Sequence, residues 1–209
     1  MKRHLLITTL LISSILALSG CGGESDETPE TPAAETTAPS VTETPEAPQP
    51  PVEAPSAPIK HETAVTTISG ETIGIKVTTE GFLFNGYEGR PVVLEFYGDT
   101  CPHCLNAIPT YNTLQQKYGE QILILTINDG GQYTTLDNRG LQKFAADHGI
   151  GYRTVSREKS GNLKKYAEGF VGKMNGVPYV IVMNREGVIT THMFVPSKAQ
   201  LEAAIADVL

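Results

Sequence analysis

The sequence has no tryptophan, only three cysteines and a shortage of basic residues, with 16 Lys and Arg against 23 Asp and Glu. A nucleic-acid surface needs clustered Lys and Arg, so this composition excludes that class of function. The net charge of −7 comes mainly from residues 22–59, which carry eight acids and no Lys or Arg. The 209 residues, of which 40% are hydrophobic, suffice for one folded domain with appendages.

The sequence also lacks an apolar run long enough to span a bilayer comfortably. A basic stretch at residues 2–4 is followed by apolar residues 5–18, which is the pattern of a secretory signal peptide. Residues 18–21 resemble the bacterial lipoprotein signal, which implies that residues 1–20 are removed and that Cys21 is diacylated. Several acyl chains would anchor the protein stably to a membrane. An ordinary signal peptide, the alternative, would leave Cys21 as a spare reactive thiol.

Residues 21–60 have almost no large apolar side chain. Nine prolines lie between residues 22 and 58, where Glu, Thr and Ala are also frequent. Such a segment cannot bury enough surface to offset its conformational entropy, so it is predicted to be a disordered tether. In a polyproline II conformation it would reach on the order of 100 Å. The folded domain is therefore predicted to comprise residues 61–209.

Strand and helix patterns alternate along residues 61–209. The hairpin signal is an alternation of apolar and polar residues at 64–68 and 73–78, around a Gly-containing turn. The other predicted strands are residues 91–97, 122–127, 152–155, 179–183 and 188–194, and the predicted helices are residues 105–118, 141–148, 162–170 and a last helix capped by Ser197 with Gln200. This order predicts an α/β fold: a central, mostly parallel or mixed sheet flanked by helices, with an N-terminal β-hairpin extension.

The remaining two cysteines, Cys101 and Cys104, lie where the predicted strand 91–97 gives way to a helix. A lone CxxC pair can be a redox pair, half of a zinc site or a haem attachment site. Zinc would need two more ligands at fixed spacing, and the sequence has no further cysteine or histidine pair that supplies them. Haem attachment needs a histidine directly after the second cysteine, where Leu105 stands. A redox pair without metal or other cofactor is therefore predicted.

Three further positions fit one family. Glu95 stands six residues before Cys101, Pro109 stands five residues after Cys104, and Val177-Pro178 follows in a later loop. With these residues in this order, the chain resembles the thioredoxin superfamily. The resemblance implies a thioredoxin-like fold, an active-site disulfide between the two cysteines, and a cis proline that faces it.

Two branches of this superfamily fit in part. Pro102 and His103, between the cysteines, resemble the DsbA-type oxidases. The leading hairpin, the loop 128–140 and the helix after it resemble the TlpA-type membrane-anchored thioredoxins. Those proteins usually carry a Trp before the first cysteine and a Glu three residues after the second, whereas this chain has Thr100 and Ala107. The direction of electron flow is therefore left open between reductase and oxidase or isomerase.

The residues around the cysteine pair have the following expected roles. Cys101 begins a helix, where backbone N–H groups and the helix dipole favour a thiolate, the reactive form of the sulfur. Cys104 is expected to be buried and to act as the resolving thiol. Glu95, on an apolar strand, is expected to have a raised pKa and to relay protons to Cys104; contact with a water channel or a lysine is the alternative. His103 would stabilise the Cys101 anion if its ring turns toward the sulfur.

Substrate binding is assigned to the loop of Val177 and Pro178. Pro178 would keep a backbone N–H away from the sulfurs, and Val177 could pair through its backbone with an extended substrate. A simple turn is the alternative for this loop. Pro109 is expected to be structural, and Asp99 is expected to point to solvent.

The predicted function is an extracytoplasmic thiol–disulfide oxidoreductase that acts through a mixed disulfide on Cys101. Expected partners are protein thiols and disulfides, a membrane or periplasmic redox partner, and a membrane reached through Cys21. The location implied is the bacterial cell envelope, with a monomeric domain facing the periplasm or the cell exterior. Two other classes stay open: a copper metallochaperone that holds the metal on the two cysteines and a histidine, and a peroxiredoxin-like peroxidase. The peroxidase would need a Pro-x-x-x-Thr/Ser-x-x-Cys loop, which residues 98–100 do not supply.

Overall fold

The structure is a computed structural model that describes residues 57–209. This range contains the strands β1 (His61–Thr66), β2 (Thr72–Val77), β3 (Phe82–Phe84), β4 (Val92–Tyr97), β5 (Leu123–Asn128), β6 (Arg153–Ser156), β7 (Tyr179–Met183) and β8 (Ile189–Phe194). Its α-helices are α1 (Pro102–Tyr118), α2 (Asn138–Asp147), α3 (Leu163–Val171) and α4 (Lys198–Ala206). The predicted signal peptide, Cys21 and nearly all of the predicted tether lie outside the described residues.

Five strands form the central sheet in the order β6-β5-β4-β7-β8. Strands β4, β5 and β6 are parallel, whereas β7 is antiparallel to β4 and β8 is antiparallel to β7. All residues of β4 and β5 are buried, as their nearly continuous apolar sequences predict for strands covered on both faces. The mixed α/β sheet predicted from the sequence is therefore confirmed.

Helices cover both faces of this sheet. Because side chains alternate along a strand, neighbouring residues of β4 enter different cores. The core shared by α1 and α4 includes Val93, Leu114, Val180, Leu201 and Ile205. The core shared by α2 and α3 includes Leu94, Phe96, Leu141, Leu163 and Ala167. Helix α1 thus rests on the same face of β4 as Val93.

The N-terminal strands form a separate antiparallel sheet in the order β1-β2-β3. The hairpin of β1 and β2 was predicted, but the third strand was missed because β3 has only three residues. Ile73, Ile75 and Phe82 turn their side chains into the core on the α2 and α3 side. The predicted hairpin extension is therefore a small second sheet that completes one of the two cores.

The helix boundaries differ slightly from the prediction. Helix α1 begins at Pro102, three residues before the predicted start, because proline is well suited to a first helical position. The predicted cap of α4 is confirmed: Ser197 and Gln200 form a reciprocal capping box. Within residues 57–209 no helix combines the length and hydrophobicity that a bilayer crossing requires.

Candidate active site

The two cysteines lie at the N-terminal end of α1. Cys101 is the N-cap residue, with an extended backbone (φ −79°, ψ 118°), and Pro102 follows as the first helical residue. Cys104 lies in the first turn. Both are free thiols in this structure, and they are 2% and 3% exposed, respectively. The helix start therefore holds both sulfurs at the edge of the core rather than out in solvent.

A loop from a distant segment of the chain faces Cys101. The Val177–Pro178 peptide bond is cis, as the resemblance implied. The thiol of Cys101 lies 3.5 Å from the carbonyl oxygen of Val177, to which it donates a hydrogen bond. The tertiary structure thus joins two segments that are 76 residues apart in the chain.

An aromatic side chain lies next to this loop. Phe194, at the end of β8, is 60% exposed. A Cβ added at Gly176 would lie 2.8 Å from Cε2 of the Phe194 ring, so the ring lies against the backbone of Gly176. The amide of Val195 donates to the carbonyl of Pro178 at 2.9 Å, which fixes the end of β8 to the loop. An exposed ring is therefore held beside Val177.

Asp99 was expected to point to solvent, and this prediction is wrong. Asp99 is buried, and its carboxylate accepts hydrogen bonds from Asn128 Nδ2 at 2.9 Å and from the Thr135 amide and hydroxyl at 2.9 and 2.5 Å. Burial alone would raise the pKa of Asp99, but the hydrogen bonds from Thr135 and Asn128 outweigh it and lower the pKa below its usual value. The sequence signal was available, because Asp99 and Asn128 both lie at the carboxyl ends of neighbouring parallel strands.

The loop that follows β5 also holds Thr100, the residue before Cys101. The amide and hydroxyl of Thr100 both donate to the carbonyl of Tyr133, at 3.1 and 3.0 Å. A Cβ at Gly98 would collide with Tyr133, so glycine is needed for this close approach. Segment 98–100 is thereby fixed, and the position of Cys101 is fixed with it.

Glu95 is buried in the middle of β4, at 3% exposure. Its neighbours in the sheet are Thr126 on β5 and Val180 on β7. No Lys or Arg of residues 57–209 forms an ion pair with it, and its Oε1 atom has no hydrogen-bond partner there. Burial raises the pKa of Glu95 to about 8, while hydrogen bonding from Tyr111 acts in the opposite direction. The carboxyl group is therefore mainly protonated at neutral pH.

Cys104 lies close enough to Glu95 for the two groups to affect each other. Burial raises the pKa of Cys104 well above its usual range, and the hydrogen bond with Cys101 and the charge on Glu95 add to the rise. Cys104 thus stays a thiol until a base removes its proton.

His103 lies on the exposed side of α1. It makes no hydrogen bond to Cys101 among those found in residues 57–209. It lines a cleft of about 210 Å³ together with Thr110, Pro178, Val195 and Lys198. His103 therefore lies beside Pro178 in the wall of this cleft. Pro109 lies inside α1 and is exposed, which agrees with a structural role.

No group of three or more His, Cys, Asp or Glu side chains that could hold a metal ion occurs in residues 57–209. Cys101 and Cys104 are the only cysteines of that range. The groups available for chemistry at this site are two thiols, one buried carboxyl group and the backbone carbonyl of Val177.

The sequence model of the AhpC/TSA family matches residues 72–192. No curated protein matches the chain. The thiol:disulfide interchange protein of the thioredoxin family from Chlorobium tepidum superposes with a TM-score of 0.55 at 16% identity, over 73% of this chain and 96% of that one. StoA from Bacillus subtilis gives 0.53 at 18% identity, over 69% and 96% of the two chains.

A third solved structure, the exposed lipoprotein thioredoxin of Streptococcus pneumoniae, gives a TM-score of 0.53 at 14% identity, over 70% of this chain and 99% of that one. At these identities the likeness concerns the fold, and the three structures share the sheet and helix arrangement described above. The predicted thioredoxin-like fold is confirmed. The match of the family model extends from β2 into β8 and includes both cysteines, Glu95 and Pro178. The chain belongs to the AhpC/TSA family, and its fold is that of the thioredoxin superfamily.

Proposed function

We propose that this protein is a thiol–disulfide oxidoreductase that exchanges electrons with cysteines of protein substrates through Cys101 and Cys104. The observation that carries the proposal is the position of the two thiols at the start of α1, with Cys101 facing the cis Val177–Pro178 bond. The Chlorobium tepidum relative is by name a thiol:disulfide interchange protein, which agrees with it. The redox-active cysteines supply the electrons, so no other cofactor is needed.

The reaction in the reducing direction has two steps. In the first, the Cys101 thiolate attacks a substrate disulfide; a Cys101–substrate disulfide forms and the other substrate sulfur leaves as a thiolate. In the second, Cys104 gives its proton to the ionised form of Glu95, the carboxylate, and attacks Cys101. The Cys101–Cys104 disulfide forms and the remaining substrate sulfur leaves. Two electrons pass from the protein to the substrate, and the oxidising direction is the reverse.

The geometry supports different roles for the two cysteines. Cys101 is the N-cap residue of α1, and its sulfur faces the carbonyl of Val177 in the proposed substrate loop. Cys104 lies one turn deeper, next to a buried acid that can accept its proton. Pro178 has no N–H to offer the sulfurs, and the backbone of Val177 is placed to pair with an extended substrate. Cys101 is therefore the attacking cysteine and Cys104 the resolving one.

A Cys104→Ser variant tests the mixed disulfide. Without the resolving thiol, the second step is blocked and the complex with substrate is expected to accumulate to near the amount of enzyme added. Intact-mass measurement after mixing with a disulfide-containing protein would detect it, and dithiothreitol should release it. A double variant with Cys101→Ser is the control and should form no complex. Equal amounts of complex in both variants would contradict attack by Cys101.

The reduction potential of the pair decides the direction of electron flow. Equilibration with glutathione buffers, followed by thiol alkylation, measures it directly. A value near that of thioredoxin, about −270 mV, would assign a reductase, whereas a value near that of DsbA, about −120 mV, would assign an oxidase.

The cellular location in the proposal is the bacterial cell envelope. Residues 1–20 would serve as the lipoprotein signal peptide, Cys21 as the lipidated residue, residues 21–60 as the tether and residues 61–209 as the catalytic domain. The Streptococcus pneumoniae relative is by name an exposed lipoprotein, which supports this arrangement. The domain would act as a monomer on protein thiols outside the cytoplasm, with a redox partner in the membrane or periplasm.

Phe194 is expected to contact polypeptide substrates, because it is exposed beside the proposed substrate loop. A Phe194→Ala variant should lower kcat/KM for insulin by about tenfold, the size expected for an aromatic contact at an interface. Its rate with a small aromatic disulfide should change little. Ile59→Ala, which shortens another exposed apolar side chain away from the site, is the matched control. Equal effects on both substrates would contradict a role in substrate binding.

A further inference from the structure

A cleft beside the active site carries basic side chains that the proposed reaction does not use. The cleft lies where the first half of α1 meets the start of α4, and its volume is about 210 Å³. Its wall includes Pro178, His103 on α1, and Ser197 and Lys198 at the start of α4. Pockets for small-molecule ligands are larger, about 300–1,000 Å³. The cleft therefore has room for one side chain of a longer ligand.

This cleft lies within reach of a substrate that is bonded to Cys101. Cys101 Sγ is 3.5 Å from the carbonyl oxygen of Val177, and the next residue, Pro178, lines the cleft. Val195 also lines it, and its amide donates to the Pro178 carbonyl at 2.9 Å, which joins the two parts of the wall. An extended chain advances about 3.3 Å per residue. A substrate paired with Val177 would thus bring a side chain one or two residues from its cysteine to the cleft.

The ionisable groups of the cleft favour a negatively charged ligand. Among residues 57–209, those that line the cleft include Lys198 and His103 but no aspartate or glutamate. Neither α1 nor α4 has an acidic residue in its first turn, although the partial positive charge of a helix N-terminus favours acids there. Lys198 is the first residue of α4 and opposes this dipole. A lysine here costs helix stability, and the negative charge of a ligand would offset that cost.

Two further features of the wall are typical of a binding site. The amide of Asn106 and the hydroxyl of Thr110 also line the cleft, and both groups can donate hydrogen bonds to a carboxylate. Val195 has a φ of 48°, a left-handed conformation that is rare for a β-branched residue. Backbone strain of this kind is concentrated at ligand-binding and active sites.

The ion pair that Lys198 makes within the protein is weak. The Lys198 ammonium lies 3.9 Å from Glu202 Oε1, and the two side chains are 55% and 37% exposed. Exposed pairs contribute little to stability, and salt screens them. Lys198 can therefore exchange this contact for a carboxylate in the cleft.

We propose that the cleft selects polypeptide substrates with an aspartate or glutamate one or two residues from their cysteine, and that Lys198 is the residue that determines this specificity. The inference rests on the proposed function, because it concerns which substrates reach Cys101. The substrate carboxylate accepts hydrogen bonds from the Lys198 ammonium and from the His103 ring. No covalent bond forms or breaks in the cleft.

The test compares three peptides in which the two residues on each side of a central cysteine are all Glu, all Gln or all Lys. Each is supplied as its symmetrical disulfide, and kcat/KM for its reduction with dithiothreitol is measured by chromatography of the released thiol. The wild type should favour the Glu peptide over the Gln peptide about fivefold, and the Lys peptide should be poorest. This ratio should fall as salt is raised.

Two variants at the cleft locate the effect. In Lys198→Gln the ratio of kcat/KM between the Glu and Gln peptides should fall to about one, and in Lys198→Glu it should fall below one. Lys198→Glu is expected to fold, because an acid suits the first helical turn. Lys165→Glu is the matched control, since it makes the same change at an exposed position of α3, which packs in the other core. It should keep the wild-type ratio.

Three results would overturn the inference while leaving the proposed function intact. The first is equal kcat/KM for the three peptides in the wild type. The second is an unchanged preference for the Glu peptide in Lys198→Glu. The third is an equal loss of preference in Lys165→Glu, which would assign the effect to net charge. A wild-type protein that reduces neither these peptides nor insulin faster than dithiothreitol alone would refute the proposed function itself.

Discussion

A Cys101→Ser variant is expected to lose disulfide exchange by at least about 100-fold, down to the rate that dithiothreitol reaches by itself. A serine oxygen cannot form the mixed disulfide, and the raised pKa of Cys104 keeps that residue in the unreactive thiol form. The measurement is the dithiothreitol-dependent precipitation of insulin, followed by turbidity. Equal rates for the variant and the wild type would contradict the proposed function.

This variant is expected to fold like the wild type, because the substitution suits the local structure. Cys101 occupies the N-cap of α1 and makes no side-chain cap hydrogen bond. Serine is among the best N-cap residues, so the helix should be as stable as in the wild type or more stable, by up to about 1 kcal/mol. Urea unfolding of the reduced variant checks this. A stable but inactive protein is the expected combination.

Replacing Glu95 by Gln is expected to remove most of the pH dependence of stability of the reduced protein between pH 5 and pH 8. Burial raises the pKa of Glu95 from 4.5 to about 8. In this range the folded state holds a proton that the unfolded state has released, so the free energy of unfolding falls as the pH rises. The total loss is on the order of 4 kcal/mol. A glutamine has no proton to lose and should show no such fall.

The shifted pKa values of Asp99 and Cys104 do not affect the slope of stability between pH 5 and pH 8. The lowered pKa of Asp99 stabilises the protein at and above its usual value of 3.8, and that contribution is lost only in more acid solution. The raised pKa of Cys104 destabilises the folded state only near and above 9.0. The slope between pH 5 and pH 8 therefore reports Glu95.

Urea unfolding at pH 5, 6, 7 and 8 in the presence of dithiothreitol measures this slope. Glu62→Gln, the same substitution at an exposed position of β1, is the control and should keep the wild-type slope. Equal slopes in Glu95→Gln and the wild type would contradict a buried acid with a raised pKa. The Glu95→Gln variant should also resolve the mixed disulfide slowly, because it has no base for Cys104. Glu95 thus costs stability at neutral pH and supports the chemistry.

Much of the fold was predictable because it follows from short-range patterns. The apolar runs of β4 and β5 predicted strands buried on both faces, and the pair Ser197 and Gln200 predicted the start of α4. The strand β3 was missed because three residues give too short a pattern, and it exists only through its pairing with β2. Asp99 was misplaced although it and Asn128 follow neighbouring parallel strands, because its other hydrogen bonds come from Thr135 in the loop after β5.

The sequence by itself determined the class of chemistry. The spacing of Cys101 and Cys104 at a strand-to-helix junction is local, and so is the pattern from which a lipoprotein signal ending at Cys21 is proposed. The tertiary structure alone decided what surrounds these residues. It set Val177 against Cys101, and it surrounded Glu95 with Thr126, Val180 and Tyr111 instead of a lysine. The proton affinity of a buried acid depends on groups from distant segments and on the exclusion of water, and neither can be read along the chain.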